Sequence, residues 1–117
     1  MIKPVDKALP GNGGGPDPRQ RDDVELNRAL QRLHVQFLEE VRVRAQLLLR
    51  GRPNITELRN WGHRLRGTGG SFGFKALSVL GRELEELPTA VEQGVVHSLL
   101  KRILDRVRAL ESSPPEE

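Results

Sequence analysis

The chain has 117 residues, 36 % of them apolar and 30 % charged, with 19 Lys and Arg against 16 Asp and Glu for a net charge of +3. That length holds one domain but hardly two, and three Phe, one Trp and no Tyr leave the core to aliphatic stripes. The absence of cysteine excludes disulfides and thiolate metal sites, and no apolar run approaches the ~18 residues of a membrane span.

Residues 1–20 hold Pro4, Pro10, Pro16 and Pro18, with Gly11 and a Gly13-Gly14-Gly15 run. This composition reads as a flexible, disordered N-terminal tail with no signal-peptide apolar region, so a soluble, cytoplasmic protein is expected. Asp22 with Glu25 predicts the cap of a first helix. Leu26, Leu30, Leu33, Phe37, Val41, Ala45 and Leu48 then recur at three- and four-residue steps, until Gly51 and Pro53 end it. Asn54 with Glu57 predicts the cap of a second helix, with Ile55, Leu58, Gly62, Leu65 and Gly69 as its inward stripe. A third helix carries Leu77, Leu80 and Leu84 and stops by Pro88. A fourth carries Val95 or Val96, Leu99, Leu100, Ile103, Val107 and Leu110; Thr89 and Glu92 would cap it early and place Gly94 inside. Residues 112–117, Ser-Ser-Pro-Pro-Glu-Glu, read as a second tail. No two-residue alternation competes, so no sheet is expected. The predicted fold is all-α, an up-and-down antiparallel four-helix bundle over 21–111.

The chemistry concentrates in His63-Arg64-Leu65-Arg66-Gly67-Thr68-Gly69-Gly70-Ser71-Phe72-Gly73. At ~100° per residue the inward stripe of the second helix spans roughly 80°, and His63 lies roughly 130° from its middle. The histidine therefore faces outward, flanked by Arg59, Arg66, Gly67 and Gly70. Glycine within a helix costs about 1 kcal/mol against alanine, so this cluster needs a steric reason or a helix end. A helix end accounts for Gly70 and Gly73. Gly67, one turn beyond His63 on the same face, instead leaves room for a partner to approach the imidazole. A P-loop needs a preceding strand and a Gly-Lys-Ser/Thr end, and a dinucleotide fingerprint fails because residue 72 is Phe. His63 has no second His or carboxylate at helical ligand spacing, so no metal site is expected. His34 and His97 have no chemical neighbours in the sequence and read as surface residues.

At these residues the chain resembles histidine-containing phosphotransfer (HPt) domains. The family pattern of His-x-Leu-Lys/Arg-Gly, five residues, then Gly is met by His63, Leu65, Arg66, Gly67 and Gly73. Leu77 and Leu84-Glu85 suit it, and the Gly-Gly-Ser-Phe-Gly-Phe stretch at 69–74 is similar to that of chemotaxis-type kinases. The resemblance covers roughly 22–111. Arg66 replaces the commoner Lys, keeping the charge with a broader donor fork. Gly69 and Gly70 stand where Ser or Ala is usual.

The resemblance implies a phosphorelay carrier. A histidine kinase or receiver domain would phosphorylate His63, which would exchange the phosphoryl group with the aspartate of a response-regulator receiver domain. Neutral imidazole would be the nucleophile, through Nε2. Arg66 and Arg59 would offset the phosphoryl charge, and Glu85 would orient His63 through Nδ1 as its equivalent does in chemotaxis-type domains. Arg59, Gly67 and Gly70 would face the partner. The chain has no ATP-binding motif and no Mg²⁺ ligand cluster, so it is expected to be a carrier rather than a kinase. It would need no cofactor of its own, with Mg²⁺ on the partner receiver, and the resemblance implies a monomer. Two other classes compete. One is a helical adaptor that binds a receiver or kinase without carrying phosphate, against which His63 and its intact motif stand. The other is a nucleic-acid-binding bundle, for which only the basic balance speaks; the bases are dispersed among acids and stacking aromatics are few.

Overall fold

The structure, a computed structural model, describes the backbone of residues 18–112 and the side chains of 22–112. Four helices follow one another: α1 (Pro18–Arg50), α2 (Ile55–Ser71), α3 (Lys75–Glu85) and α4 (Gln93–Ser112). The fold is an all-α four-helix bundle, with no strand among the described residues. The tails expected over 1–20 and 112–117 fall outside the described residues, except 18–20 and 112, which are helical.

Local signals explain most helix ends. Asn54 Oδ1 accepts the Glu57 N–H at 2.8 Å, the predicted cap of α2. The other end of α2 closes on Gly73, whose φ of +83° is left-handed. The Phe74 N–H reaches back to Gly69 O at 2.8 Å and the Gly73 N–H to Gly70 O at 3.1 Å, so glycine at this position satisfies two helix-end carbonyls. α4 begins at Gln93, with Gly94 inside it, and buries Val96 while Val95 stays exposed. The cap predicted at Asp22 is corrected: α1 starts at Pro18, where proline's missing N–H is no loss in a first turn, and Asp22 and Asp23 lie within the helix.

The core is aliphatic, as composition requires. Val41, Ala45 and Leu48 of α1 meet Leu58 and Leu65 of α2, Leu77 and Leu84 of α3, and Leu100, Ile103 and Val107 of α4. Trp61, absent from the predicted stripe, is buried with them. Arg42 of α1 and Glu111 of α4 form an ion pair at 3.1 Å across the bundle. His34 is no plain surface residue. Its ring lies 4.8 Å from Phe72 and 5.4 Å from Phe74, which also pack on Phe37. All three phenylalanines of the chain thus gather at the α2–α3 turn, a long-range grouping that no local pattern announces.

The chain divides at Leu33, and the segment before it is described by itself. There the predicted core stripe fails. Leu26, Leu30 and Leu33 keep the helical spacing but are 57 %, 38 % and 47 % exposed. Burial on this helix begins at Phe37.

α2 and α3 cross with their backbones in contact. A Cβ on Gly62 would sit 2.6 Å from Gly81 O, 2.6 Å from Leu84 Cβ and 2.7 Å from Glu85 N. A Cβ on Gly81 would sit 2.5 Å from Arg66 N. Ser78 Oγ donates to Arg66 O at 2.9 Å and ties the same crossing. Gly62→Ala should therefore destabilise the domain by about 1–3 kcal/mol through overpacking, although alanine is the better helix former. Gly67→Ala, with nothing within 4 Å of its added carbon, should stabilise it by up to about 1 kcal/mol. Urea unfolding of the two variants measures both; a Gly62→Ala protein as stable as the wild type would disprove the crossing.

Candidate functional site

The crossing delivers one carboxylate to one histidine. His63 follows Gly62 on α2, and the side chain projects outward with 64 % of its surface exposed. Glu85 is the last residue of α3. Its backbone nitrogen rests against Gly62, so its side chain starts one residue's breadth from the imidazole. Glu85 Oε2 lies 2.7 Å from His63 Nδ1. An ionised carboxylate only accepts, so Nδ1 is the donor and carries the proton. In the neutral ring the lone pair is then on Nε2, the nitrogen that the carboxylate leaves free.

The second carboxylate oxygen is spoken for by a cation. Glu85 Oε1 is enclosed, and Arg66 Nη1 stands 3.2 Å away as an ion pair without hydrogen-bond geometry. Glu85 is three-quarters buried while both its partners are more open, so the carboxylate is the fixed member and the two cationic or polar heads gather on it. The structure thus brings together His63, Arg66 and Glu85 in one chain of contacts. Such an arrangement presents an oriented, unblocked nitrogen nucleophile with a negative charge behind the ring and a guanidinium beside it.

The other predicted residues are placed differently. Arg59 Nε and Nη2 donate to Leu87 O at 2.9 and 2.6 Å, and Nη2 also reaches Thr89 Oγ1 at 3.2 Å. Its guanidinium fastens the α3–α4 connection and joins no contact with His63. Gly67 is exposed, and the space beside it is open. Gly70 leans toward α3, where an added carbon would meet Ser78 Oγ at an ordinary 3.5 Å. Gly81 and Ser78 escape the sequence reading, although a glycine amid the leucines of the third helix carries the same steric signal as Gly67. Arg64, the exposed neighbour of His63, also escapes it. With Thr68 and Trp61 it lines a cleft of about 720 Å³ between α1 and α2 that His63 itself does not line.

Among the described residues no group of three His, Cys, Asp or Glu is placed to hold a metal ion, and no helix is long and apolar enough to cross a membrane. A family model described as Hpt domain matches residues 32–112. No curated protein and no solved structure matches the chain. The match begins at residue 32, a few residues before burial on α1 sets in at Phe37, and takes in all of α2, α3 and α4 with the His63–Glu85 contact. The chain belongs to the Hpt domain family, whose members carry phosphoryl groups in phosphorelays.

Proposed function

We propose that His63 accepts a phosphoryl group at Nε2 and exchanges it with the aspartate of a response-regulator receiver domain, after loading by a histidine kinase or another receiver. The observation that carries this is the 2.7 Å contact of Nδ1 with Glu85. It leaves the free lone pair on Nε2, the nitrogen that Glu85 does not engage, in a side chain that is mostly exposed.

The step balances without help from a base. The Nε2 lone pair attacks phosphorus in line, the N–P bond forms, and the bond from phosphorus to the donor's aspartyl oxygen breaks, returning a carboxylate. No proton leaves Nδ1, so the ring becomes cationic. Glu85 holds that charge through the Nδ1–H bond, and the same bond relaxes when the phosphoryl group departs. Positive charge on the ring keeps the N–P bond labile, which suits a carrier that gives up its load in either direction. Arg66 sits one helical turn along and is available to the phosphoryl oxygens. The open space over Gly67 is where the receiver's loops reach phosphorus. The partner completes the chemistry, with its own Mg²⁺, in the cytoplasmic setting expected of a phosphorelay.

His63→Gln should abolish phosphate acceptance from a phosphorylated receiver and leave the far-UV circular dichroism unchanged. Acid-labile phosphate on that variant at the wild-type level would end the assignment, and a merely adaptor-like domain would show none on the wild type. Glu85→Ala should slow transfer by about 10-fold or more, since a hydrogen bond to a charged group is worth about 1.5–3 kcal/mol and each ~1.4 kcal/mol is tenfold in rate. Rapid-quench kinetics with a receiver at saturating concentration measures this, and an unchanged rate would deny Glu85 a positioning role. Gly67→Glu should stop exchange with no loss of unfolding midpoint, because its side chain would enter open space on the docking side.

A further inference from the structure

We propose that Arg59 is a positioning residue of the transfer: by gripping the chain just beyond α3 it holds the Glu85 carboxylate on His63. The role rests on the reading of His63 as the phosphoacceptor. α2 and α3 run antiparallel, so a step back along α2 meets a step forward along α3. Ser78 Oγ, early in α3, donates to Arg66 O at 2.9 Å. Gly62 and Gly81 then touch through their backbones, a contact that permits close approach but carries no directional bond. Glu85 lies one turn past Gly81, at the very end of α3. Helix ends fray, because their last carbonyls have no partner within the helix. A carboxylate mounted there needs an anchor beyond it.

Arg59 is that anchor. It stands one turn before His63 on α2, and its half-buried side chain reaches Leu87, two residues after Glu85. Arg59 Nε and Nη2 both donate to Leu87 O, at 2.9 and 2.6 Å, and Nη2 also meets Thr89 Oγ1 at 3.2 Å. Two charged donors on one carbonyl fix direction as well as distance. Leu87 precedes Pro88, which turns it away from helical backbone, so its carbonyl is free to accept from outside the helix. The positive charge also falls at the C-terminal end of α3, where the helix dipole favours it. Among the described residues these are the only hydrogen bonds or ion pairs that join α2 to the chain beyond Gly81, apart from those of the Glu85 carboxylate itself. Glu85 is thus held from both sides, by the glycine crossing before it and by Arg59 after it. Arg59 acts on the reaction through a short stretch of backbone and a carboxylate, touching neither the imidazole nor phosphorus.

The test compares the full chain with Arg59→Met, which keeps the length without a donor, with Glu85→Ala, and with the double variant. Long-range ¹H–¹⁵N correlation of the unphosphorylated chain should show His63 protonated on Nδ1, with the population shifted toward Nε2–H in Arg59→Met. The single-turnover rate at saturating phosphorylated receiver should fall about threefold, less than for Glu85→Ala, because the Nδ1 bond is weakened and not removed. The receiver concentration giving half the maximal rate should stay unchanged. In the Glu85→Ala background Arg59→Met should cost no further rate, since the two residues act in one chain of contacts. An unmoved ring spectrum in Arg59→Met overturns the proposal. So does a rate loss that persists in full without Glu85, which would place Arg59 on the phosphoryl group or the receiver. Arg59→Lys keeps the charge but loses the two-pronged grip, and its ring spectrum should lie between those of the wild type and Arg59→Met. It carries the comparison if the methionine variant does not fold, and a lysine variant with the wild-type spectrum also overturns the proposal. The spectrum is taken without phosphate or partner, so a His63 that accepts no phosphate refutes the carrier reading alone, and an unmoved ring refutes the role of Arg59 alone.

Discussion

Everything at the site depends on two helices being allowed to touch backbone to backbone. Side chains ordinarily keep helix axes 8–10 Å apart. At the α2–α3 crossing Gly62 and Gly81 remove the side chains on both sides, and an added carbon on either would collide with main-chain atoms of the other helix. The consequence is chemical as well as steric. Glu85, one turn beyond Gly81, is brought against the residue that precedes His63. A carboxylate that would otherwise wave in solvent is three-quarters buried and hydrogen-bonded to an imidazole. Ser78, bonded to the carbonyl of Arg66, holds the same turn from the other side.

That geometry separates two jobs that an exposed histidine performs poorly alone. The ring needs a fixed direction, and it needs one nitrogen kept free. Glu85 supplies both by occupying Nδ1, while Arg66 balances the carboxylate's second oxygen so that the pair is not a bare buried charge. In the proposed transfer the same three groups absorb a charge that moves onto the ring and off again. No group has to be reorganised between the empty and loaded states beyond a swing of the Arg66 head. Exposure of His63 and the open space at Gly67 belong to this logic too, since a carrier must let its partner's site close around the phosphorus.

The helices are legible in the sequence because their apolar periodicity is strong, and the two ends of α2 also carry their own local signals. Asn54 accepts from Glu57, and Gly73 takes the left-handed turn, as the spacing predicts. The outward direction of His63 follows from the wheel alone. Less legible is whatever depends on a second element. Periodicity places Leu26, Leu30 and Leu33 on the same stripe as Val41, but a stripe records only that something apolar is to be met, not whether this bundle meets it. His34 looks bare in sequence because Phe72 and Phe74 come to it from far along the chain. Arg59 lies on the flank of His63 by angle, yet its reach is long and the carbonyl of Leu87 claims it first. Gly81 was open to the same steric argument as Gly67; what the sequence lacks is the facing residue, Gly62, that turns a weak helix position into a contact.

The most direct test of the account is the protonation of the His63 ring itself. Long-range ¹H–¹⁵N correlation of the neutral imidazole distinguishes a protonated ring nitrogen from one bearing a lone pair. An imidazole without a partner in water favours the proton on Nε2; a carboxylate at Nδ1 reverses that preference. The structure predicts Nδ1 protonated and Nε2 free in the wild type, with the preference returning to Nε2–H in Glu85→Ala. A wild-type spectrum showing Nε2–H would mean that Glu85 does not hold the ring, and that the helix crossing has no part in presenting the nucleophile.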